Sequence, residues 1–343
     1  MSRRVRTLVV GGVLFVVLAI VAFTLPVPYV ILGPGPTINT LGSYGSQQVL
    51  TITGKTANKT TGHLNLTTVS ISTGRVSVFQ AFEGWLAGDQ VVVPRETIYP
   101  PGQSQQQVAE QDSEDFSDSQ DNAEGAAFCA LKYPSYFGVL GVATDMKPAG
   151  ALKIGDKLVT VNGRAVDTAA RLQAVLATLK PGATASVVVE RENVSTTVSI
   201  TLLAPAAGKT GARLGIVVAD TCYAPTFTVK IGLNDEIGGP SAGMMFALGI
   251  IQELGSTDLT GGRFIAGTGT IDLDGSVGPI GGIQLKMIAA RRAGATLFLA
   301  PASNCSDVRG NIPKGLTVAK VSTLSGALTV LEQTKAGKSV AGC

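Results

Sequence analysis

The sequence predicts an α+β protein whose first element is a single membrane-spanning helix. Three observations support this fold class. The segment 8–25 is apolar and uncharged, strand-like alternation is interspersed with helical spacing along the rest of the chain, and the composition is that of a folded protein. Of the 343 residues, 45% are hydrophobic, 15% are charged and 42 are glycines. This composition excludes a disordered chain and favours a structure with many turns.

The N-terminal segment has the length and the charge distribution of a membrane anchor. Arg3, Arg4 and Arg6 precede the apolar segment, and the next charged residue is Lys55. A stretch of about 18 apolar residues is enough to cross the hydrocarbon core. A cleaved signal peptide is the alternative, but its apolar core is usually shorter, and a clear small-x-small cleavage site is missing. The arginines predict a single-pass cell-membrane protein with a cytoplasmic N-terminus and extracytoplasmic domains.

The net charge and the cysteines narrow the function classes. The net charge is only +3, and no dense Lys/Arg run follows the N-terminus, so nucleic-acid binding is not expected. Cys129, Cys222, Cys305 and Cys343 suit an oxidising compartment in which one or two disulfides form, and they lack the spacing of a zinc site. We expect Cys305 to pair with Cys343, because both lie in the C-terminal segment. The alternative is that all four are small buried apolar residues.

After the anchor, the sequence predicts a turn, strands and a helix. Gly33-Pro34-Gly35-Pro36 is a stiff turn element. The predicted strands are residues 49–53, 63–72 and 91–94, and the predicted helix is residues 76–87. The segment 103–126 is polar and rich in carboxylates, without the spacing of a calcium loop. We expect this segment to be a solvated helix or linker between two packed units.

Residues 127–204 have a compact order of short strands, tight turns and one amphipathic helix, which spans 168–179. This order resembles a PDZ domain, and the resemblance rests on KPAGAL at 147–152 and GDKLVTVNG at 155–163. It implies a groove that accepts an extended peptide as an added strand, with the peptide carboxylate held by backbone N–H groups of a loop. The residues of this loop are Tyr136, Phe137, Gly138 and Val139. The alternative is a spacer of the same shape that binds nothing.

The C-terminal part is predicted to alternate strands and helices. The strands are residues 213–218, 227–233, 264–271, 278–283, 296–300 and 316–321, and the helices are residues 244–254 and 283–293. The helix 244–254 is apolar almost all round, so it should be buried. Gly294 ends the other helix as a C-cap. The turn at 272–275 lacks the later glutamate of a calcium loop, so no metal site is expected.

A glycine-flanked serine, Ser241, stands just before the helix 244–254. The letters GPSAG at 239–243 match the G-x-S-x-G elbow of α/β-hydrolases. That fold needs a histidine downstream of the serine, whereas the single histidine, His63, lies far upstream. A triad in hydrolase order is therefore excluded. Ser241 is interpreted as a nucleophile at a helix start, and the alternative is a helix cap.

A serine nucleophile needs a base, and a buried lysine can provide one because burial favours the neutral amine. On the helix 283–293, at about 100° per residue, Lys286 falls among apolar side chains. These are Ile283, Ala289, Ala290 and Ala293. A lysine inside an apolar stripe is unusual, so Lys286 is the candidate base. The alternative is that its side chain reaches solvent past the alanines.

The serine and lysine motifs together resemble the proteolytic domain of Lon-type serine proteases. The second motif reads GPIGGIQLK at 278–286, followed by AARRAGA at 289–295. The resemblance implies that Ser241 is the nucleophile, that Lys286 is the base, and that the hydroxyl of Thr268 supports the lysine.

The nucleophile loop is expected to supply oxyanion donors from backbone N–H groups around the serine, at the helix start. Its other residues are Gly239, Pro240 and Ala242. The sequence departs from the Lon pattern in one respect. Lon proteases often carry an acidic residue three positions before the serine, where this chain has Gly238. The nearest acids, Asp235 and Glu236, are shifted.

The anchor, the PDZ-like unit and the Lon-like unit together resemble the membrane-anchored PDZ-Lon proteins of bacteria. The resemblance implies that the PDZ-like unit is inserted into a Lon-type α/β domain built from both flanks. The expected segments are a cytoplasmic tail 1–7, a transmembrane anchor 8–30, an extracytoplasmic connector 31–61, the N-terminal part of the Lon-like domain 62–102, an acidic linker 103–126, the PDZ-like domain 127–204 and the catalytic domain 205–343.

The expected function is an ATP-independent, membrane-anchored serine endopeptidase that acts on polypeptides without a cofactor. Each Gly-Lys-Thr or Gly-Lys-Ser triplet lacks the earlier glycine of a phosphate loop, where Val49, Leu203 and Glu332 stand instead. No nucleotide partner is therefore expected. The resemblance also implies a homo-oligomer. The alternative function is a catalytically idle PDZ scaffold that recruits extracytoplasmic partners.

Overall fold

The computed structural model describes residues 3–72, 74–142, 152–191, 194–205, 210–222, 227–233 and 237–343. The helices are α1 (Arg3–Thr24), α2 (Val78–Leu86), α3 (Gln105–Ala130), α4 (Ala169–Ala177), α5 (Gly243–Leu254), α6 (Ile283–Ala293), α7 (Cys305–Val308) and α8 (Leu324–Lys335). The strands are β1 (Tyr29–Asn39), β2 (Ser43–Tyr44), β3 (Gln47–Gln48), β4 (Leu50–Thr53), β5 (His63–Ile71), β6 (Val91–Pro94), β7 (Ser135–Val142), β8 (Lys157–Val161), β9 (Arg164–Ala165), β10 (Thr184–Arg191), β11 (Val194–Thr201), β12 (Ile216–Cys222), β13 (Thr228–Ile231), β14 (Phe264–Gly267), β15 (Thr270–Ile271), β16 (Val277–Gly278), β17 (Leu297–Pro301) and β18 (Thr317–Val321).

A six-stranded sheet forms the centre of the α/β unit, in the order β18-β17-β14-β5-β1-β6. The strands from β18 to β5 run parallel, whereas β1 is antiparallel to both β5 and β6. Leu66 of β5 pairs with Gly267 of β14 and so joins strands from distant parts of the chain. Strands that precede and strands that follow the PDZ-like segment therefore share one sheet.

The apolar helix α5 is buried in the core beside this sheet, as its sequence predicts. Met244, Phe246 and Leu248 have no exposed surface, and they belong to the same apolar cluster as Leu64 and Leu66 of β5. Burial of one such side chain stabilises a fold by about 1.5–3 kcal/mol. The start of α5 is therefore held in place by the densest part of the core.

The acidic segment was expected to be a solvated helix or linker; it is a helix, but one that packs against the core. α3 begins with a capping box formed by Ser104 and Gln107. Phe116, Ala123 and Phe128 of this helix are buried in the same cluster as α5, and the Phe116 ring lies 5.9 Å from the Phe246 ring in an edge-on contact. The seven- and four-residue spacings of Phe116, Ala123 and Ala127, which is buried in the same cluster, bring these side chains to one face of α3. The carboxylates between them occupy the rest of the helix surface.

The first strand corrects two further expectations. Residues 33–36, expected to form a turn, lie inside the 11-residue strand β1. Its pairing with β5 shifts register between Pro34 and Thr37. Proline lacks an N–H group and is tolerated at such a bulge. Residues that were expected in the anchor and connector therefore contribute a strand to the central sheet.

The PDZ-like segment forms a second sheet in the order β11-β10-β8-β7-β12, with β9 paired to β8. It has its own apolar core, in which Leu172 and Val175 of α4 pack with strand residues. Asp156 is fully buried, and its Oδ1 lies 2.7 Å from Nε of Arg191. The KPAGAL run lies outside the described residues, apart from Leu152, which is buried in this core.

Two disulfides link segments that are distant in the sequence. Cys305 pairs with Cys343, which confirms the predicted bridge and joins the C-terminus to α7. Cys129 pairs with Cys222, so the last turn of α3 is linked to the end of β12. This second bridge connects the two points at which the chain enters and leaves the PDZ-like sheet.

The N-terminal helix α1 is exposed along its length, with no buried residue. By length and composition it is the helix of the described chain that could cross a membrane, and a signal sequence would meet the same criteria. Its end is close to α2, because the rings of Phe23 and Phe79 lie 4.3 Å apart.

Candidate active site

Ser241 lies in a short 3-10 turn, Pro240–Ala242, that leads directly into α5. Gly239 before the turn has a φ of 82°, a left-handed conformation that favours glycine. Gly243 after it has no room for a side chain, because a Cβ there would come within 2.7 Å of Ile271. Ser241 itself is only partly buried. The backbone is thus fixed while the hydroxyl remains accessible.

Lys286 projects from α6 to this hydroxyl. Its Nζ lies 2.7 Å from Oγ of Ser241. The residue is only 3% exposed, which excludes the alternative of a side chain that reaches solvent. Burial lowers the pKa of Lys286 to about 8. A neutral amine at this distance is a good acceptor for the serine proton.

The apolar surroundings of Lys286 agree with the helical spacing in three of four positions. Ile283, Ala289 and Ala290 are buried, whereas Ala293, expected on the same side, is exposed. Ala293 is the last residue of α6, where Gly294 turns the chain away with a φ of 104°. The stripe therefore ends one turn earlier than the sequence predicts.

Thr268 joins the serine and the lysine. It is fully buried, its Oγ1 donates to the carbonyl oxygen of Ser241 at 3.0 Å, and Nζ of Lys286 lies 3.1 Å from the same Oγ1. The N–H of Gly269 also donates to the Ser241 carbonyl oxygen, at 2.8 Å. The structure thus brings together three residues that are distant in the sequence and sets the lysine between two hydroxyl groups.

Helix α3 holds the nucleophile loop from another direction. Oγ of Ser119 donates to the carbonyl oxygen of Pro240 at 2.9 Å, and the N–H of Gly239 donates to the carbonyl oxygen of Asp112 at 2.9 Å. Ser119 is only 3% exposed. The sequence reasoning missed both contacts, because a serine in an acidic segment carries no special pattern. The apolar spacing along α3 was the signal that this helix packs.

The hydrogen bonds of the loop limit which groups can face a developing oxyanion. The N–H of Gly239, one of the expected loop donors, is already bonded to Asp112, and Pro240 has no N–H. The other N–H groups of the loop are those of Ser241 and Ala242. Both lie at a helix start, where the helix dipole favours negative charge.

Helix α3 lies against Gly238, the residue three positions before the serine. A Cβ added at Gly238 would come 3.0 Å from Cβ of Asp112. Burial, and then the charge of Asp115, raise the pKa of Asp112. An acid therefore stands beside Gly238 although the sequence position itself has none. Asp235 and Glu236 lie outside the described residues.

His63 has no part in this arrangement. It is exposed at the first position of β5 and stacks on Phe264 at 4.7 Å. Because β5 and β14 run parallel, His63 lies at the opposite end of the sheet from Thr268. Among the described residues, no group of three or more His, Cys, Asp or Glu side chains could hold a metal ion.

The residues expected to form a carboxylate-binding loop lie in a strand, which corrects that expectation. Tyr136, Phe137, Gly138 and Val139 belong to β7, whose whole length pairs with β12. On the other edge, Val139 exchanges backbone hydrogen bonds with the loop before β8, through the carbonyl oxygen of Asp156 and the N–H of Gly155. The N–H and the C=O of Val139 are therefore both used on the β8 side, while β12 pairs along the other edge of β7.

Known families match both folded units. The Lon protease (S16) C-terminal proteolytic domain matches residues 236–333, and the PDZ domain matches residues 132–202. The chain combines a Lon-type proteolytic domain with a PDZ domain. The first match includes Ser241, Thr268 and Lys286, so the converging residues all lie within the domain of a serine protease family.

The curated relatives are Lon proteases that match part of the chain. The chain is 45% identical over 71 residues to the Lon protease of Roseiflexus castenholzii, covering 21% of this chain and 9% of that protein. It is 39% identical over 95 residues to Lon protease 2 of Herpetosiphon aurantiacus, covering 27% and 11%. For Lon protease 1 of Bacillus subtilis the values are 38% over 93 residues, 26% and 12%. The chain thus spans about a tenth of the length of these relatives.

Solved PDZ domains are also similar to part of the chain. The PDZ domain of an SdrC-like protein from Listeria monocytogenes is 23% identical, with 24% of this chain and 85% of that chain covered and a TM-score of 0.22. The corresponding domain from Listeria innocua is 24% identical, with 24% and 92% covered and a TM-score of 0.22.

Proposed function

We propose that this protein is an ATP-independent, membrane-anchored serine endopeptidase in which Ser241 and Lys286 form a catalytic dyad. The observation that carries the proposal is the distance of 2.7 Å between Nζ of the buried lysine and Oγ of the serine. A covalent mechanism needs a nucleophile within hydrogen-bond reach of its base. Thr268, at 3.1 Å from the same Nζ, is proposed to hold the amine in position.

The dyad would cleave a peptide bond in two stages. The neutral amine of Lys286 takes the proton of the Ser241 hydroxyl while Oγ attacks the carbonyl carbon of the substrate. The N–H groups of Ser241 and Ala242 stabilise the oxyanion. The lysine ammonium then gives its proton to the leaving amine as the C–N bond breaks, which leaves an ester on Ser241. Water attacks this ester, Lys286 takes a water proton, and the serine oxygen recovers a proton as the acid product leaves.

The proposed anchor is α1, with a cytoplasmic N-terminus and the folded domains outside the membrane. Arg3, Arg4 and Arg6 at its start support this orientation. The disulfides Cys129–Cys222 and Cys305–Cys343 fit it too, because such bridges persist in oxidising compartments outside the cytoplasm. A homo-oligomer is proposed on the resemblance to Lon proteases.

The proposed substrates are polypeptides that are already unfolded, flexible or nicked. The phosphate-loop glycine is missing before each Gly-Lys-Thr and Gly-Lys-Ser triplet, so no ATP-driven unfolding is proposed. The PDZ domain is proposed to present substrates to the dyad. Because β12 pairs with one edge of β7 and the loop before β8 bonds Val139 at the other, a peptide that adds to this strand there must displace existing pairing.

The test is hydrolysis of an unfolded protein substrate by the full-length chain in detergent, without ATP. We expect cleavage by the wild type, and a loss of about a thousandfold in Ser241→Ala and in Lys286→Met. Lys338→Met, which removes an exposed lysine, is the matched control and should cleave as the wild type does. Equal rates for the wild type and both dyad variants across pH and substrates would leave the idle scaffold as the function.

A further inference from the structure

Helix α2 has an exposed apolar face that the proposed chemistry does not use. Phe79 is 40% exposed, Phe82 55%, Trp85 74% and Leu86 64%. At about 100° per residue these side chains fall within one arc of about 120°, and Gln80 and Glu83 fall outside it. The opposite side of the helix, at Gly84, is buried.

The buried side of α2 docks on the edge of the central sheet. At Gly84 the helix backbone approaches Val92 of β6 and Ile31 of β1. The capping box of Ser77 and Gln80 fixes the helix start. Because one side of α2 packs on the sheet, the helix is held in one orientation and the aromatic side chains on its other side face outward. They form a fixed patch.

This patch differs from the rest of the described surface. Four exposed apolar residues, Leu25, Tyr29, Ile71 and Val91, lie in the segments next to α1 and α2. Outside these segments and the two helices, the exposed large apolar residues are separate aliphatic side chains. They are Val159, Val194, Val217 and Ile312. Scattered residues of this kind are normal, whereas a contiguous patch with three aromatic rings marks an interaction surface.

The position of the patch identifies what it meets. The N–H of Val78 donates to the carbonyl oxygen of Leu25 at 3.3 Å, and the rings of Phe23 and Phe79 lie 4.3 Å apart. α1 has 22 residues and is therefore about 33 Å long, close to the roughly 30 Å of a hydrocarbon core. If α1 spans the bilayer, the first turn of α2 lies where α1 leaves it.

The charges near this exit point agree with a lipid surface. Arg75 and Arg95 line a cavity of about 400 Å³ together with Pro26 and Tyr29. Cationic side chains at this level attract lipid phosphate groups, while Trp and Phe are favoured at the boundary between headgroups and acyl chains. The N–H of Arg95 donates to the carbonyl oxygen of Pro28 at 2.9 Å, so this cation lies close to the end of α1.

We propose that α2 lies in the surface of the outer leaflet, with the rings of Phe79, Phe82 and Trp85 among the lipids. The proposal rests on α1 as the proposed membrane anchor. The bilayer then holds the proteolytic domain at two elements, a spanning helix and a helix that lies along its surface. This fixes the edge of the central sheet that carries β6 against the membrane.

The chain offers a direct probe, because Trp85 is its single tryptophan. The full-length protein is reconstituted into phosphatidylcholine vesicles, with or without lipid brominated near the headgroup end of the acyl chain. We expect brominated lipid to lower Trp85 emission at least about twofold and dissolved iodide to have little effect. The matched control is the double variant Trp85→Phe with Ile312→Trp, whose probe should respond to iodide and not to brominated lipid.

Flotation of the same vesicles separates this proposal from the anchor. A chain that floats after an alkaline wash, with Trp85 open to iodide and insensitive to brominated lipid, would overturn the position of α2 and leave the anchor standing. Shielding from both quenchers would mean that protein covers the patch, which also overturns the proposal. A chain that stays out of the vesicles would overturn both the anchor and the lipid contact.

Discussion

The proposed catalytic site and the PDZ domain differ in how the fold uses the residues of a recognisable sequence motif. Ser241, Thr268 and Lys286 come from three elements, and the fold brings their polar atoms within 3.1 Å of one another. The PDZ residues 136–139 are consecutive, yet the fold engages them in a strand that pairs along its length with β12. A hydroxyl or an amine keeps its chemistry wherever the fold places it. A backbone N–H group that is hydrogen-bonded to another strand can no longer bind a peptide. A motif therefore predicts side-chain function better than backbone function.

The largest expected effect is the loss of peptide hydrolysis when the proposed catalytic site, and not the PDZ domain, is altered. Lys286→Met should lower hydrolysis of a short, unstructured peptide about a thousandfold, because the serine loses its base. The same variant should be more stable at neutral pH, because a buried lysine must be charged there against its desolvation. The measurements are kcat/KM and the free energy of unfolding, with Lys338→Met as control. A variant that loses both activity and stability would indicate a structural role for Lys286.

The sign of the stability effect follows from the pKa. Burial lowers the pKa of Lys286 to about 8 in the folded chain, below its ordinary value of 10.5. Between these values the unfolded chain binds more protons, so wild-type stability should rise as pH increases from about 8 to 10.5, by up to about 3 kcal/mol. This rise should be absent in Lys286→Met.

The next effect is a loss of folding stability that should be confined to the PDZ domain. Arg191→Met leaves the buried carboxylate of Asp156 without its ion-pair partner, which should destabilise this domain by about 3–5 kcal/mol. Lys157→Met breaks the more exposed pair with Glu190 and should cost about 1 kcal/mol or less. Denaturant unfolding measures both variants.

The proteolytic activity of the Arg191 variant tests whether the PDZ domain affects the proposed catalytic site. Hydrolysis of a short peptide should be retained, because the dyad and its supports lie in the other core. Cleavage of a full-length unfolded protein should fall if the PDZ domain presents it. A parallel loss of short-peptide hydrolysis would show that the bridge Cys129–Cys222 couples the PDZ domain to α3 and hence to the nucleophile loop.

A smaller effect is expected at the contact between α3 and the nucleophile loop. Ser119→Ala removes one of the two hydrogen bonds to the Pro240 carbonyl oxygen, which still accepts from the N–H of Gly243, at a cost of about 1 kcal/mol. We expect kcat to fall about 10- to 100-fold with KM little changed, because the loop and not the substrate contact is altered. Ser117→Ala, an exposed serine on the same helix, is the control. Equal kcat for the two variants would remove Ser119 from the positioning of the loop.

The smallest effect is the pH dependence of the wild type. Because the neutral amine is the base and the pKa of Lys286 is about 8, peptide hydrolysis should rise with pH and level off above this value. At pH 7 the rate should lie about tenfold below the plateau. The profile of kcat/KM for a short peptide measures it, and an acid optimum would contradict Lys286 as the base.

The sequence predicted the parts of the site that depend on local pattern. The spacing around Lys286 indicated a buried lysine, and the apolar run after Ser241 indicated a buried helix. The absence of a histidine downstream of the serine redirected the search to lysine. The catalytic roles stay predictions until the variants are measured. Ala293 is exposed although the helical spacing places it among the buried residues, because the helix ends there without a change in the periodicity.

The parts that the sequence did not predict depend on contacts between distant segments. β1 contains glycine and proline and reads as a turn, but pairing with β5 and β6 makes it a strand. The sequence of α3 predicts a solvated helix or linker, but its few apolar residues pack in the core beside α5. Its hydrogen bonds to the nucleophile loop join residues more than a hundred positions apart, and no local pattern encodes such a pair.

The sequence alone thus specified the residues of the proposed site, because the identity and local spacing of Ser241 and Lys286 predict a nucleophile and a buried base. It also predicted an apolar N-terminal helix and the bridge between Cys305 and Cys343. Only the tertiary structure decided which backbone groups are free, where α3 supports the loop, and that β12 occupies one edge of β7. The physical reason is that hydrogen-bond pairing between distant segments is settled by the packing of the whole chain, and each N–H group so used is no longer available to a substrate.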